Sequence, residues 1–206
     1  VLTGAGILRA DGTALPDAPF GEVPVDTGAV SRGRVAVIVD RRRVWTFQEG
    51  SWAGPIESDH RLNCVEWTQD GRLLVGTEAA RLAVAEPGGL RFLDSFDGIA
   101  ERRLWNTPWG GPPDVRSLAV SNDGTIYADI HVGWIVRSRD GGESWTLLRA
   151  GLEKDVHAVA TGDRDPALVF AATASGFYLR RAHGHSFHGH RRGLPYPYLP
   201  SPASFP

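Results

Sequence analysis

A unit of short strands recurs along this chain, and it constrains the fold more than any other feature. Three segments open on an alternating apolar strand, at residues 62–67, 115–120 and 156–161. Each runs into a polar turn: Gln69-Asp70-Gly71, Asn122-Asp123-Gly124 and Asp163-Arg164-Asp165-Pro166. A second strand follows each turn, at 73–76, 126–129 and 168–172, then a bend near Ala80, Gly133 or Gly176 and a third strand at 82–85, 135–138 or 177–180. Four short strands recurring every ~40 to 50 residues are the mark of a propeller blade. The expected fold class is all-β, a β-propeller of four-stranded antiparallel blades, incomplete or open. Residues 102–113, with Trp105, Trp109 and a run of Gly and Pro, read as a loop inserted between blades.

The flanks are less regular. Residues 34–39, the turn at Asp40 to Arg43 and the strand 44–47 read as a compressed blade ending near Trp52. Residues 3–12 resemble 76–84, so they are expected to be later strands of a blade whose first strands are absent. The C-terminus does not offer those strands, because Pro197, Pro200, Pro202 and Pro206 are incompatible with a central strand. The expected organisation is one propeller domain over residues 1–194 and a Pro-rich irregular tail over 195–206. An unpaired sheet edge invites a second chain, so self-association through open edges is expected.

Composition agrees with many short strands and tight turns: 25 Gly, 14 Pro and seven Trp, with no Met. A formal net charge of −2 gives no global attraction for nucleic acid or an anionic membrane, and the Arg41-Arg42-Arg43 and Arg180-Arg181 runs are short. No apolar stretch approaches the ~18 residues of a spanning helix, and no basic-then-apolar leader opens the chain. Neither nucleic acid nor membrane is an expected partner, and a cytoplasmic location is the default. Cys64 is the only cysteine; in an alternating apolar run it reads as a buried, inert thiol.

The turn Ser138-Arg139-Asp140-Gly141-Gly142-Glu143-Ser144-Trp145 resembles an Asp box, the turn of sialidases and other bacterial neuraminidase-repeat propellers. Degenerate copies stand at 180–187 and around 86–89, with a remnant at 9–12. The stretches 107–117, 130–133 and 155–157 are similar to bacterial propeller proteins grouped as sialidase-like or glycosyl-hydrolase-like. In those families the box lies on the face away from the catalytic site, which implies structural roles for Ser138, Asp140, Gly142 and Trp145. A sialidase site further requires three arginines, a Tyr nucleophile backed by Glu, and an acid/base Asp. Arg116 and Arg61 stand at equivalent strand starts, a third arginine does not emerge, and Tyr127 and Tyr178 lack a Glu partner in the pattern.

Strand starts and second-strand ends of a propeller meet at one mouth of its channel. The repeat puts Asn63, Arg116 and His157 at first strands there, with Glu78, Asp129 and His131 at second-strand ends and Trp109 on the inserted loop as a stacking platform. These seven are the candidate ligand-binding residues; catalytic residues are unassigned. The His-rich run 183–190 has strand spacing suited to chelation, yet it falls in a degenerate turn with no carboxylate nearby, so no metal and no cofactor are expected. The leading expectation is a noncatalytic binding or scaffold propeller taking a small molecule, glycan or protein at the mouth. A sialidase-like glycosidase is the alternative.

Overall fold

Each copy of the repeat folds into one antiparallel sheet. The computed structural model describes residues 2–3, 6–7, 15, 18–181 and 185–190. A hairpin of β1 (Leu2–Thr3) and β2 (Gly6–Ile7) precedes the sheets. Sheet I holds β3 (Val25–Ser31), β4 (Arg34–Val39), β5 (Arg43–Gln48) and β6 (Ser51–Glu57). Sheet II holds β7 (Leu62–Trp67), β8 (Leu73–Thr77), β9 (Leu82–Glu86) and β10 (Gly89–Phe92). β11 (Asp114–Val120), β12 (Ile126–His131), β13 (Trp134–Ser138) and β14 (Thr146–Leu148) form sheet III. Sheet IV is β15 (Val156–Thr161), β16 (Val169–Thr173), β17 (Gly176–Arg180) and β18 (His188–His190). In all four, strand order in space equals strand order in sequence, as in an up-and-down blade.

Period-2 alternation gives each sheet two apolar faces, and these must be covered by neighbouring sheets. Ile126, Ala128 and Ile130 on one face of β12 pack with Leu74 and Leu82 of sheet II. Tyr127, on the opposite face, packs with Val156, Val159 and Tyr178 of sheet IV. Ile38 and Val44 of sheet I meet Leu62 and Val75 of sheet II in the same way. Packing therefore runs in series, β3 on β7, β7 on β11 and β11 on β15. Among the described residues the series stays unclosed, the arrangement of an open or incomplete propeller.

The structure revises the sequence reading at sheet I. Residues 34–39 are a second strand, not a first, and the blade is a full four-stranded sheet rather than a compressed one. Its first strand, β3, escapes the pattern because Gly28 interrupts the apolar alternation and Asp26 is polar. Connection 93–113 is also more ordered than a plain loop, containing helix α1 (Asp94–Asp97) and a 3-10 turn at Ala100–Leu104. Phe96 is fully buried there, 6.1 Å from the Trp105 ring and edge-on to Trp145 at 4.9 Å. Most of the expected N-terminal strand and the Pro-rich tail lie outside the described residues.

The turn between β13 and β14 is closed by hydrogen bonds from its own side chains. Asp140 Oδ1 accepts the Ser144 N–H at 2.9 Å, and Ser138 Oγ accepts the Gly142 N–H at 2.8 Å while donating to Asp140 Oδ1 at 2.7 Å. Gly141 and Gly142 take φ of 72° and 100°, conformations open to glycine at little cost. Trp145 donates its indole N–H to Gly142 O at 3.2 Å and meets the Phe96 ring edge to face. The turn thus fastens the outer strand of sheet III to the II–III connection.

Candidate ligand-binding site

All four first strands carry a β-bulge at the same place. Register slips between Val25 and Thr27, Leu62 and Cys64, Val115 and Ser117, and Val156 and Ala158. The residue left without a Cα partner in each case is polar: Asp26, Asn63, Arg116 and His157. A bulge adds one residue and re-aims a side chain that strict alternation would send elsewhere. Here the preceding apolar residue stays packed in three of the four strands, Leu62, Val115 and Val156 each being fully buried. The bulged residue turns out, and all four of them line one cavity of about 750 Å³.

The cavity is polar and of mixed charge. Arg41, Arg61 and Arg116 line it together with Asp26, Glu66 and Asp114. Arg41 is tied to Asp26, donating its backbone N–H at 2.8 Å and approaching with its guanidinium at 3.5 Å. Burial pushes the Glu66 carboxyl up to about 7, and burial likewise raises Asp114 against the lowering influence of Arg61. Arg116 Nη1 lies 3.1 Å from His131 Nε2. Trp109 stands at the lip, 63 % exposed, with its ring 5.3 Å from the His131 ring.

Beside Arg116, two histidines converge on one carboxylate. Asp155 Oδ1 lies 3.1 Å from His131 Nε2 and 3.3 Å from His157 Nε2, and the two imidazoles meet edge to face at 5.2 Å. Burial first, and Arg116 second, hold the His131 pKa below the ordinary histidine value, so this ring is largely neutral at pH 7. Asp129 is fully buried, and neither of its carboxylate oxygens has a hydrogen-bond partner. Burial raises its pKa well above the ordinary aspartate value, with Arg116 opposing and Asp155 adding to the shift.

Of the seven residues picked from sequence, Asn63, Trp109, Arg116, His131 and His157 line the cavity. Glu78 does not; it sits in a 3-10 turn, where its Oε1 accepts the Arg61 N–H at 3.0 Å and holds the start of β7. Asp129 lies beneath the wall instead of on it. Sequence reasoning missed Asp26, Arg41, Arg61 as a wall residue, Glu66, Asp114 and Asp155. Asp26 and Arg41 escape the pattern because sheet I was read out of frame. Asp155 directly precedes β15 and was visible as part of Asp155-Val156-His157. Among the described residues no tyrosine lines the cavity, since Tyr127 and Tyr178 are packed between sheets III and IV. His188 and His190 lie on β18, exposed; His183 falls outside the described residues.

No family model matches the sequence, and no curated protein matches it. Solved structures share the fold. An ancestral GH74 enzyme is 15% identical with a TM-score of 0.61, over 82% of this chain and 24% of that one. YCF48 bound to D1 peptide is 15% identical with a TM-score of 0.56, over 78% of this chain and 51% of the other. A catalytically inactive virginiamycin B lyase from Staphylococcus aureus, solved with quinupristin, is 12% identical with a TM-score of 0.60, over 91% of this chain and 62% of the lyase. This chain thus spans less than two thirds of each. These are β-propeller proteins, enzymes and a peptide-binding protein alike, so the shared fold decides the architecture and leaves the chemistry to the site. No helix among the described residues is long and apolar enough to cross a membrane.

Proposed function

We propose that this chain is a binding propeller whose cavity takes a carboxylate-bearing ligand, either a small molecule or an acidic segment of a protein partner. The repeated bulge carries this reading: one polar side chain from each of the four sheets is delivered to the same cavity. Arg116 and Arg61 supply cationic donors suited to a carboxylate, Asn63 a neutral hydrogen-bonding group, and Trp109 an exposed ring on which an apolar or aromatic part can stack. Enough room exists for a drug-sized molecule or a few peptide residues, pockets of about 300–1,000 Å³ being usual for such ligands. The peptide complex of the similarly folded YCF48 agrees with a role in protein recognition. The sialidase-like alternative has three arginines at the cavity but no tyrosine nucleophile among its lining residues.

Calorimetric titration with N-acetylneuraminate, citrate and a Glu-rich hexapeptide tests the reading. The expected result is saturable binding of at least one of them, weakened tenfold or more by Arg116→Gln, with no turnover of fluorogenic glycosides. Release of fluorophore by the intact chain, abolished in Glu66→Gln, would establish a glycosidase instead. Absence of binding by all three carboxylates would overturn the anionic specificity.

A further inference from the structure

The cluster next to Arg116 has a composition that ligand capture alone does not use. We propose that His131 Nε2, His157 Nε2 and Asp155 Oδ1 form a binding site for a divalent transition metal, zinc being the cation best suited, opening onto the cavity. It shares that cavity with the proposed ligand but does not depend on the ligand's identity.

Donor chemistry and spacing carry the inference. Two imidazoles and one carboxylate are a zinc ligand set that leaves a fourth position open. Tetrahedral bonds of about 2.0–2.1 Å put ligand atoms roughly 3.3 Å apart. The two nitrogen-to-carboxylate separations are 3.1 and 3.3 Å, and all three ligand atoms lie within 4.8 Å of one another. The backbone holds them there from two sheets: His131 ends β12, His157 sits on the β15 bulge, and the Asp155 carbonyl accepts the Ala174 N–H at 3.1 Å. Both histidines line the cavity, so the open coordination position faces incoming ligand or water.

Asp129 supplies an independent observation. It lies two residues before His131 on β12, hence on the same face, which Tyr127 marks as the face toward sheet IV. A buried carboxyl with neither oxygen hydrogen-bonded is costly and needs an explanation. Its place on the His131 face of β12 adds a further unpartnered oxygen donor beside the proposed site. Arg116 is the opposing element. Its guanidinium lies against the His131 nitrogen that the metal needs, at 3.1 Å, and must swing aside for the cation to enter. Metal and guanidinium therefore contend for the same ring nitrogen.

Calorimetric titration of the whole chain with zinc sulfate, without any organic ligand, is the experiment. The intact chain and a His188→Asn, His190→Asn double variant are expected to bind one zinc equally. His131→Gln and Asp155→Asn are each expected to weaken it at least tenfold, while Arg116→Gln tightens it. Should His131→Gln fail to fold, Asp155→Asn carries the comparison, its side chain being 29% exposed. No zinc binding by the intact chain, or binding lost in the β18 double variant and retained in Asp155→Asn, would overturn the site. Arg116→Gln separates this proposal from the preceding one, because it weakens carboxylate binding and strengthens zinc binding. Failure of carboxylate titrations alone leaves zinc binding intact.

Discussion

Ser117 and Val159 join the first strands of sheets III and IV: Ser117 Oγ accepts the Val159 N–H at 2.9 Å and donates to the Val159 carbonyl at 3.3 Å. This pair is a polar clasp at the inner edge, one residue from Arg116 and two from His157. Its loss would leave a buried backbone donor without its partner. Ser117→Ala is expected to lower unfolding free energy by about 1–2 kcal/mol, measured by urea denaturation. An unchanged midpoint would mean that water replaces the hydroxyl and that the clasp is dispensable.

Phe96 tests whether connection 93–113 is part of the core. The side chain is fully buried and touches Trp105 and Trp145, so it plugs the wedge between sheets II and III. Truncation of a buried Phe costs about 3–5 kcal/mol. Phe96→Ala should therefore lower the melting temperature by many degrees, whereas Trp109→Ala, at the exposed lip, should leave it nearly unchanged. Equal effects of the two would show that the connection is a surface loop throughout.

These two sites also show what could be read from sequence. Strands of sheets II to IV are legible because runs of five or six largely apolar residues stand between Gly- and Asp-containing turns, as in β12 and β16. Sheet I was misread because β3 combines Asp26, Thr27 and Gly28, so its apolar stripe is too thin to see. Asn63, Arg116 and His157 reach the cavity wall from aligned first strands, His131 from the end of a second strand and Trp109 from connection 93–113. What a linear pattern cannot show is the bulge: it is a slip between two strands, set by how Val115 and Ser117 pair with β12, and it decides which neighbour turns outward. The convergence of Asp155 on His131 was similarly hidden, because the two are brought together by sheet packing rather than by spacing.

Glu66 gives the fold a pH dependence of defined sign. Burial raises its pKa from 4.5 to about 7, so the folded chain holds this proton more tightly than the unfolded one. Stability from this group is consequently full below about pH 4.5 and declines as pH rises toward about 7. Glu66→Gln removes the penalty while keeping an acceptor for the Trp67 N–H. The variant should be more stable than the parent at pH 8, by up to about 3 kcal/mol, and equal to it at pH 4. A stability difference independent of pH would refute the assignment.

Asp140 behaves in the opposite sense. Hydrogen bonds from Ser144 and Ser138 hold its carboxyl well below the usual range, so its contribution is present above the ordinary carboxylate pKa and is lost as pH falls through the lowered value. Asp140→Ala should depress the melting temperature at pH 7, with the gap narrowing in strong acid, and should leave zinc and carboxylate affinities unchanged. Loss of affinity without loss of stability would move this turn into the binding machinery.

Four bulged strands meet at one cavity, proposed above as the binding site. Amide chemical-shift mapping during titration with the tightest carboxylate of the panel tests it most directly. The largest perturbations are expected to cluster at Asp26, Asn63, Arg116 and His157, one on each sheet, and to disappear in Arg116→Gln. Perturbations concentrated on the outer strands β6, β10, β14 and β18, or unaffected by that substitution, would contradict it.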